Sequence, residues 1–180
     1  DAAVFMAEDG GETLLIAVGR GLKFEGEILE ADGIPYIAAP LNRKNACALR
    51  RLFPFLAPSP VLSSGGLTLA LGDFSLLSRD LRQALEKEGI TPVFTRNWAE
   101  GEKNAGSLCG AVDAAIFAAF RNGYTGGFGT LCEGISTLSG AEEALKAGYA
   151  SVMLDVGGFV RQDAECADRQ AESGYPGEAW

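Results

Sequence analysis

From Leu67 onward the chain alternates short, nearly unbroken apolar runs with longer stretches whose apolar residues recur every three or four positions. LTLAL (67–71) has no polar alternation beyond Thr68, which predicts a strand covered on both faces, as in parallel sheets. SLLSRDLRQALEKE (75–88) sets Leu76, Leu77, Leu81, Ala84 and Leu85 on one stripe with charges opposite, which predicts an amphipathic helix. TPVFT (91–95) reads as a strand, AGSLCGAVDAAIFAAFRN (105–122) as a helix, and Gly127–Gly129 as a short strand. SGAEEALKA (139–147) reads as a helix opened by a capping box from Ser139 to Glu142, and SVMLD (151–155) as a last strand. The tail RQDAECADRQAES reads as one more helix.

Each helix ends on a glycine, at 89, 123 and 148, and a large residue follows it: Ile90, Tyr124 and Tyr149. A glycine there predicts a left-handed cap, because it has no Cβ to clash, and the next residue is expected to pack back on the helix. Strand, helix and strand in this order build a right-handed parallel sheet. Four such strands are half of a (β/α)₈ barrel's complement, or make a small open α/β sheet; the expected fold is α/β, with parallel β/α units that are partially TIM-barrel-like.

The first third follows other rules. TLLIAV (13–18) predicts a buried strand, and FEGEILEADGIPYIAA (24–39) two extended pieces around an Asp32-Gly33 hairpin turn. Asn42 to Phe53 predicts a helix whose Arg43, Lys44, Arg50 and Arg51 form a solvated basic face. A connector with three prolines then ends in Ser-Ser-Gly-Gly. The expected organisation is therefore a small α+β portion over 1–66 and a β/α-repeat portion over 67–180.

Composition narrows the chemistry. The chain is 47% hydrophobic with a net charge of −9, which argues against nucleic acid and against an anionic membrane surface as partners. No apolar run is long enough to span a bilayer and no signal peptide opens the chain, so a cytoplasmic location is expected. The first residue is Asp1 and not Met, which suits a processed form or a fragment. Cysteines at 47, 109, 132 and 166 form no CxxC motif and read as free thiols. There are no histidines, which excludes Ser-His-Asp and Cys-His catalysis and the usual histidine metal sites within these residues. GYTGGFG is followed by no GK[ST], so it is no Walker loop, and Gly19-Arg20-Gly21 lacks the rest of a dinucleotide fingerprint.

In parallel α/β folds ligands gather at the C-terminal ends of the strands. That rule selects Asp73, then Thr95, Arg96 and Asn97, then Thr130, Cys132 and Glu133, then Asp155. Asp73, Arg96 and Asn97 suit a sugar or sugar-acid ligand, and Glu133 or Asp155 a general base. Carboxylates with an amide suit Mg²⁺ or Mn²⁺ as a cofactor. Each residue also has a structural reading: Asp73 as the cap of a helix beginning at Ser75, Asp155 as the anchor of a turn with Val156-Gly157-Gly158, and Arg96 as the partner of a neighbouring acid.

Three segments carry a family resemblance. At LTLALGD (67–73), FRNGYTGGFG (120–129) and VMLD (152–155), with Pro92-Val93-Phe94 between the first two, the sequence resembles the tagaturonate epimerase family over roughly Leu41 to Val160. The resemblance implies a metal-dependent TIM-barrel enzyme that inverts a carbon centre between the keto-uronates tagaturonate and fructuronate. Gly72, Asp73, Asp113, Gly123, Tyr124, Gly127, Phe128, Gly129 and Asp155 fall on matching positions. It also implies an Asp-His pair where Glu133 and Gly134 stand, a second where Gly158 and Phe159 stand, and glutamines where Arg96 and Asn97 stand. These departures suggest a diverged, non-catalytic relative, or an N-terminal portion lacking its C-terminal half. A second class of function also fits: a half barrel has two open sheet edges, and a structural or assembly protein would close them as a homodimer.

Overall fold

The computed structural model describes residues 2–60, 66–99 and 107–157. The anticipated tail helix, Gly158, Phe159 and Cys166 lie outside them. Two four-stranded sheets share one buried core. The first is antiparallel and contains β1 (Ala3–Asp9), β2 (Glu12–Val18), β3 (Glu27–Ala31) and β4 (Ile34–Pro40) in the order β1-β2-β4-β3. Asp32 and Gly33 both have positive φ, 51° and 77°, as the anticipated Asp-Gly hairpin between β3 and β4 requires. β1 was not anticipated; Val4 and Met6 pack on the core from this edge strand and give too short a pattern to stand out.

Helix α1 (Arg43–Leu52) is capped by Asn42, whose side chain accepts a hydrogen bond from the Asn45 amide at 3.0 Å. Its buried Asn45 accepts from Glu25 N and donates to Glu25 O and Pro40 O, tying the chain before β3 and the end of β4 to the helix. Lys44 is solvated as expected of the basic face, with its side chain 77% exposed. Arg43, its side chain 40% exposed, also reaches helix α4 (Leu138–Ala147), where its guanidinium donates to Lys146 O at 2.8 Å and Ala147 O at 3.0 Å. A cation there meets the negative end of the helix dipole and fills carbonyls that have no partner within the helix.

The second sheet is parallel, in the sequential order β5 (Thr68–Leu71), β6 (Thr91–Asn97), β7 (Gly129–Ile135) and β8 (Ser151–Leu154). Barrel halves have this unreordered sequence of strands, whereas dinucleotide folds reverse order at a switch point. Helices α2 (Arg79–Glu88), α3 (Ser107–Arg121) and α4 connect the strands. All three close in the same way. Gly89, Gly123 and Gly148 have φ of 64°, 60° and 108°. The following amide bonds back five residues in each case: Ile90 to Leu85, Tyr124 to Ala119, and Tyr149 to Ala144. This six-to-one bond is the Schellman closure, and it turns Tyr124 and Tyr149 into the core, each 3% exposed. No helix among the described residues is long and apolar enough to cross a membrane.

Three boundaries differ from expectation. The stretch from Ser75 is broken: Phe74–Leu76 is a 3₁₀ turn, and α2 starts at Arg79 with Ser78 capping the Leu81 amide. Thr137, not Ser139, caps α4, its hydroxyl accepting from Gly140 N at 3.1 Å. The third parallel strand begins where it was expected to end, because Gly127 turns with φ of 75° and pairing with β6 starts at Val93–Gly129. This last shift matters most, since Thr130, Cys132 and Glu133 lie within β7 and not after it.

Candidate functional site

Alternation along the strands sorts the anticipated residues into two groups. Phe94 pairs with Thr130, and Arg96 with Cys132, which pairs in turn with Val152. These residues share the face that meets the helices: Phe94 stacks on Tyr149 at 6.3 Å, and Thr130 and Cys132 are fully buried. Thr130 is structural, its hydroxyl accepting from Ala150 N at 2.8 Å where α4 turns into β8. Burial, followed by the nearby Glu133 carboxylate, pushes the Cys132 thiol up to about 11, so it is protonated at neutral pH.

The opposite face carries Thr95, Asn97, Leu131 and Glu133, with Asn97 and Glu133 directly paired. Beyond Cys132 the register between β7 and β8 shifts, so that Ile135 pairs with Leu154. Gly134, with φ of 73°, sits in this irregularity, and a Cβ there would come within 3.3 Å of the Asn97 amide. Bulges of this kind re-aim side chains at strand ends beside active sites. Asp155 continues the rim; its amide donates to Ile135 O at 2.7 Å. Its carboxylate accepts from Gly157 N at 2.8 Å and is exposed, so the turn-anchoring reading of Asp155 is realised. Asn97, Glu133 and Asp155 thus stand on three successive strand ends.

Asp73 and Arg96 belong elsewhere. Both line a groove of about 920 Å³ along α3, together with Phe94, Phe117 and Asp113. Asp73 caps the 3₁₀ turn, accepting from Ser75 N at 2.8 Å. Hydrogen bonds from Ser75, then the Arg96 guanidinium, hold its carboxyl below the usual range. Asp113 was expected only as a position shared with a family. The structure buries it to 7% exposure, with Arg43 Nη1 3.7 Å from its Oδ1. Burial raises its carboxyl above the ordinary value, against the pull of Arg43 and Arg50. The signal available in the sequence was a lone acid inside the apolar helical run AVDAAIFAAF.

Three or more acidic or thiol side chains able to hold a metal do not converge among the described residues. Asp73 faces the helix-side groove, Asp155 is held in its turn and Glu133 stands on β7. The Mg²⁺ or Mn²⁺ site that these carboxylates suggested is therefore not assembled by them.

The family model described as tagaturonate epimerase matches residues 1–176. A tagaturonate/fructuronate epimerase of Thermotoga maritima is 24% identical over 168 residues, covering 91% of this chain and 34% of the relative. Crystal structures of a fructuronate-tagaturonate epimerase from Cohnella laeviribosi superpose with TM-scores of 0.78 for the native form and 0.77 for a glycerol complex. Both are 26% identical and match 97% of this chain, which spans 37% and 36% of their length respectively.

Proposed function

Because the chain belongs to the tagaturonate epimerase family, we propose that it serves the interconversion of the keto-hexuronates tagaturonate and fructuronate, by supplying part of a sugar-acid site at the ends of β6, β7 and β8. The observation that carries this reading is the family match over residues 1–176, in a chain whose parallel sheet superposes on the Cohnella enzyme. Asn97 is the amide that would orient a sugar hydroxyl, and Glu133 beside it is the carboxylate placed to accept a proton. Asp155, anchored in its turn, lines the third side. Arg96 and Asp73 are assigned to the groove on the other face and not to this rim. The resemblance implies two Asp-His pairs, and these 180 residues contain no histidine. We therefore assign the chain on its own sugar-acid binding without turnover.

The test is calorimetric titration of the chain with tagaturonate, followed by NMR analysis of the recovered sugar. Saturable heat that Asn97→Ala and Glu133→Gln each reduce at least tenfold, with only tagaturonate recovered, is the expected result. Formation of fructuronate would overturn the non-catalytic assignment, and heat unchanged by both substitutions would overturn the rim.

A second reading is favoured by the edges of the parallel sheet. Leu67 before β5 and Leu69 within it are 72% and 38% exposed, and Met153 and Leu154 on β8 are 52% and 60% exposed. Such apolar edges suit assembly with a second copy of the chain. Light scattering that gave a monomer at all concentrations would remove this reading.

A further inference from the structure

Asn97 ends β6, and its own turn orients its amide: Oδ1 accepts from Ala99 N at 2.9 Å. Only the oxygen of a carboxamide can accept from a backbone N–H, so this bond fixes which atom is Nδ2. The oxygen is engaged, while the two N–H bonds of Nδ2 have no acceptor among the described residues. Asn97 is exposed and therefore presents a donor at the strand end. Gly134 keeps that donor open: a Cβ there would lie 3.3 Å from Nδ2 itself, closer than an ordinary van der Waals contact. The surroundings are negative. Glu133 is half-buried and directly paired with Asn97, and Asp155 stands at the end of the next strand. Arg96, the one cation within the four parallel strands, is on the opposite face.

Resting on the sugar-acid reading of this rim, we propose that the strand ends select the ketose portion of the ligand: Asn97 donates to an uncharged sugar oxygen, and the ligand's carboxylate is directed away from Glu133. Charge decides between the two kinds of acceptor that a keto-hexuronate offers. A carboxylate brought to Nδ2 would sit against Glu133, with no guanidinium or ammonium on that face of the strands to offset the repulsion. A hydroxyl or keto oxygen accepts the same hydrogen bond without that repulsion. The pairing also matches a polyol. A free N–H donor and a carboxylate acceptor stand side by side, so that one sugar oxygen accepts from Asn97 while its neighbour donates to Glu133. Specificity at this rim is then for the hydroxylated carbon chain, and Asn97 is a specificity-determining donor whose direction the Ala99 amide fixes.

The experiment is an NMR titration of the full chain with tagaturonate and, separately, with tagatose, the neutral ketose that carries CH₂OH in place of the carboxylate. Both sugars should shift the Asn97 side-chain NH₂ pair and the Gly134 amide, with affinities within about threefold of each other, because the carboxylate is not what the rim reads. Asn97→Asp keeps an acceptor for Ala99 N and exchanges only the free donor for a carboxylate oxygen. It should weaken tagatose binding at least tenfold while retaining dispersed spectra; with a neutral sugar, that loss reports the donor and not repulsion of the ligand. Tagaturonate binding without tagatose binding would overturn the inference and leave the sugar-acid rim standing. Undiminished tagatose binding by Asn97→Asp would mean that the hydrogen bond runs from sugar to protein, and would overturn it as well. If neither sugar moved these resonances, the rim and the inference would fall together.

Discussion

Replacing Asn45 by leucine should loosen the junction between the antiparallel sheet and α1. The side chain is fully buried and makes three hydrogen bonds to backbone: from Glu25 N at 2.8 Å, to Glu25 O at 2.9 Å and to Pro40 O at 2.8 Å. Leucine fills a similar volume, so the loss comes from the polar groups left behind and not from a cavity. At about 1 kcal/mol for each bond the cost is about 3 kcal/mol. That is a large part of a typical domain's stability of about 5–15 kcal/mol. For a chain of this size it corresponds to a fall in Tm of roughly 6–12 °C. Asn45→Asp should cost more at neutral pH, because a carboxylate oxygen replaces the donor facing Glu25 O and Pro40 O, and should recover in part as the acid is protonated. Urea and thermal unfolding followed by circular dichroism measure both. A loss below about 1 kcal/mol for the leucine variant would mean instead that these backbone groups find other partners.

Other positions give independent checks. Thr130→Val preserves shape but removes the acceptor of the Ala150 amide, and should destabilise by about 1–3 kcal/mol in the same urea assay. For Asp113 the sign runs against the usual carboxylate. Its folded-state value is raised, so between the ordinary range and that value the folded chain holds a proton that the unfolded chain has lost. Its contribution therefore lowers stability as pH rises through this window and stays unfavourable above it. Asp113→Asn should raise Tm at neutral pH and leave it unchanged at strongly acidic pH, as thermal melts across pH will show. Cys132, buried and with its thiol pushed up to about 11, should resist iodoacetamide at neutral pH until urea unfolds the chain, as peptide mass mapping will report.

The parts of the fold legible in the sequence were those governed by local chemistry. A glycine after an amphipathic helix can take positive φ where other residues are strained, so Gly89, Gly123 and Gly148 announced all three helix-to-strand joints. Asp32-Gly33 announced the hairpin for the same reason. What stayed hidden depends on partners distant in the chain. The start of β7 is set by pairing of Gly129 with Val93, and the neighbouring glycines carry no sign of which of them turns and which extends. That shift placed Thr130 and Cys132 in the buried core, though a strand-end rule had selected them as rim residues. Strand parity then parted Arg96 from Asn97, adjacent in sequence and on opposite faces of the sheet. Arg43 looked like one charge among four on a helix, and only the packing of α1 near the end of α4 gave it two carbonyls to bind.

The proposed role of these residues is to hold a keto-hexuronate at the ends of β6 and β7. Amide NMR of the full chain during titration with tagaturonate tests that most directly. The prediction is saturable movement of the Asn97, Glu133 and Gly134 amides, with the sugar recovered unchanged. Amides at that rim that stay fixed at saturating sugar, or sugar recovered as fructuronate, would contradict it.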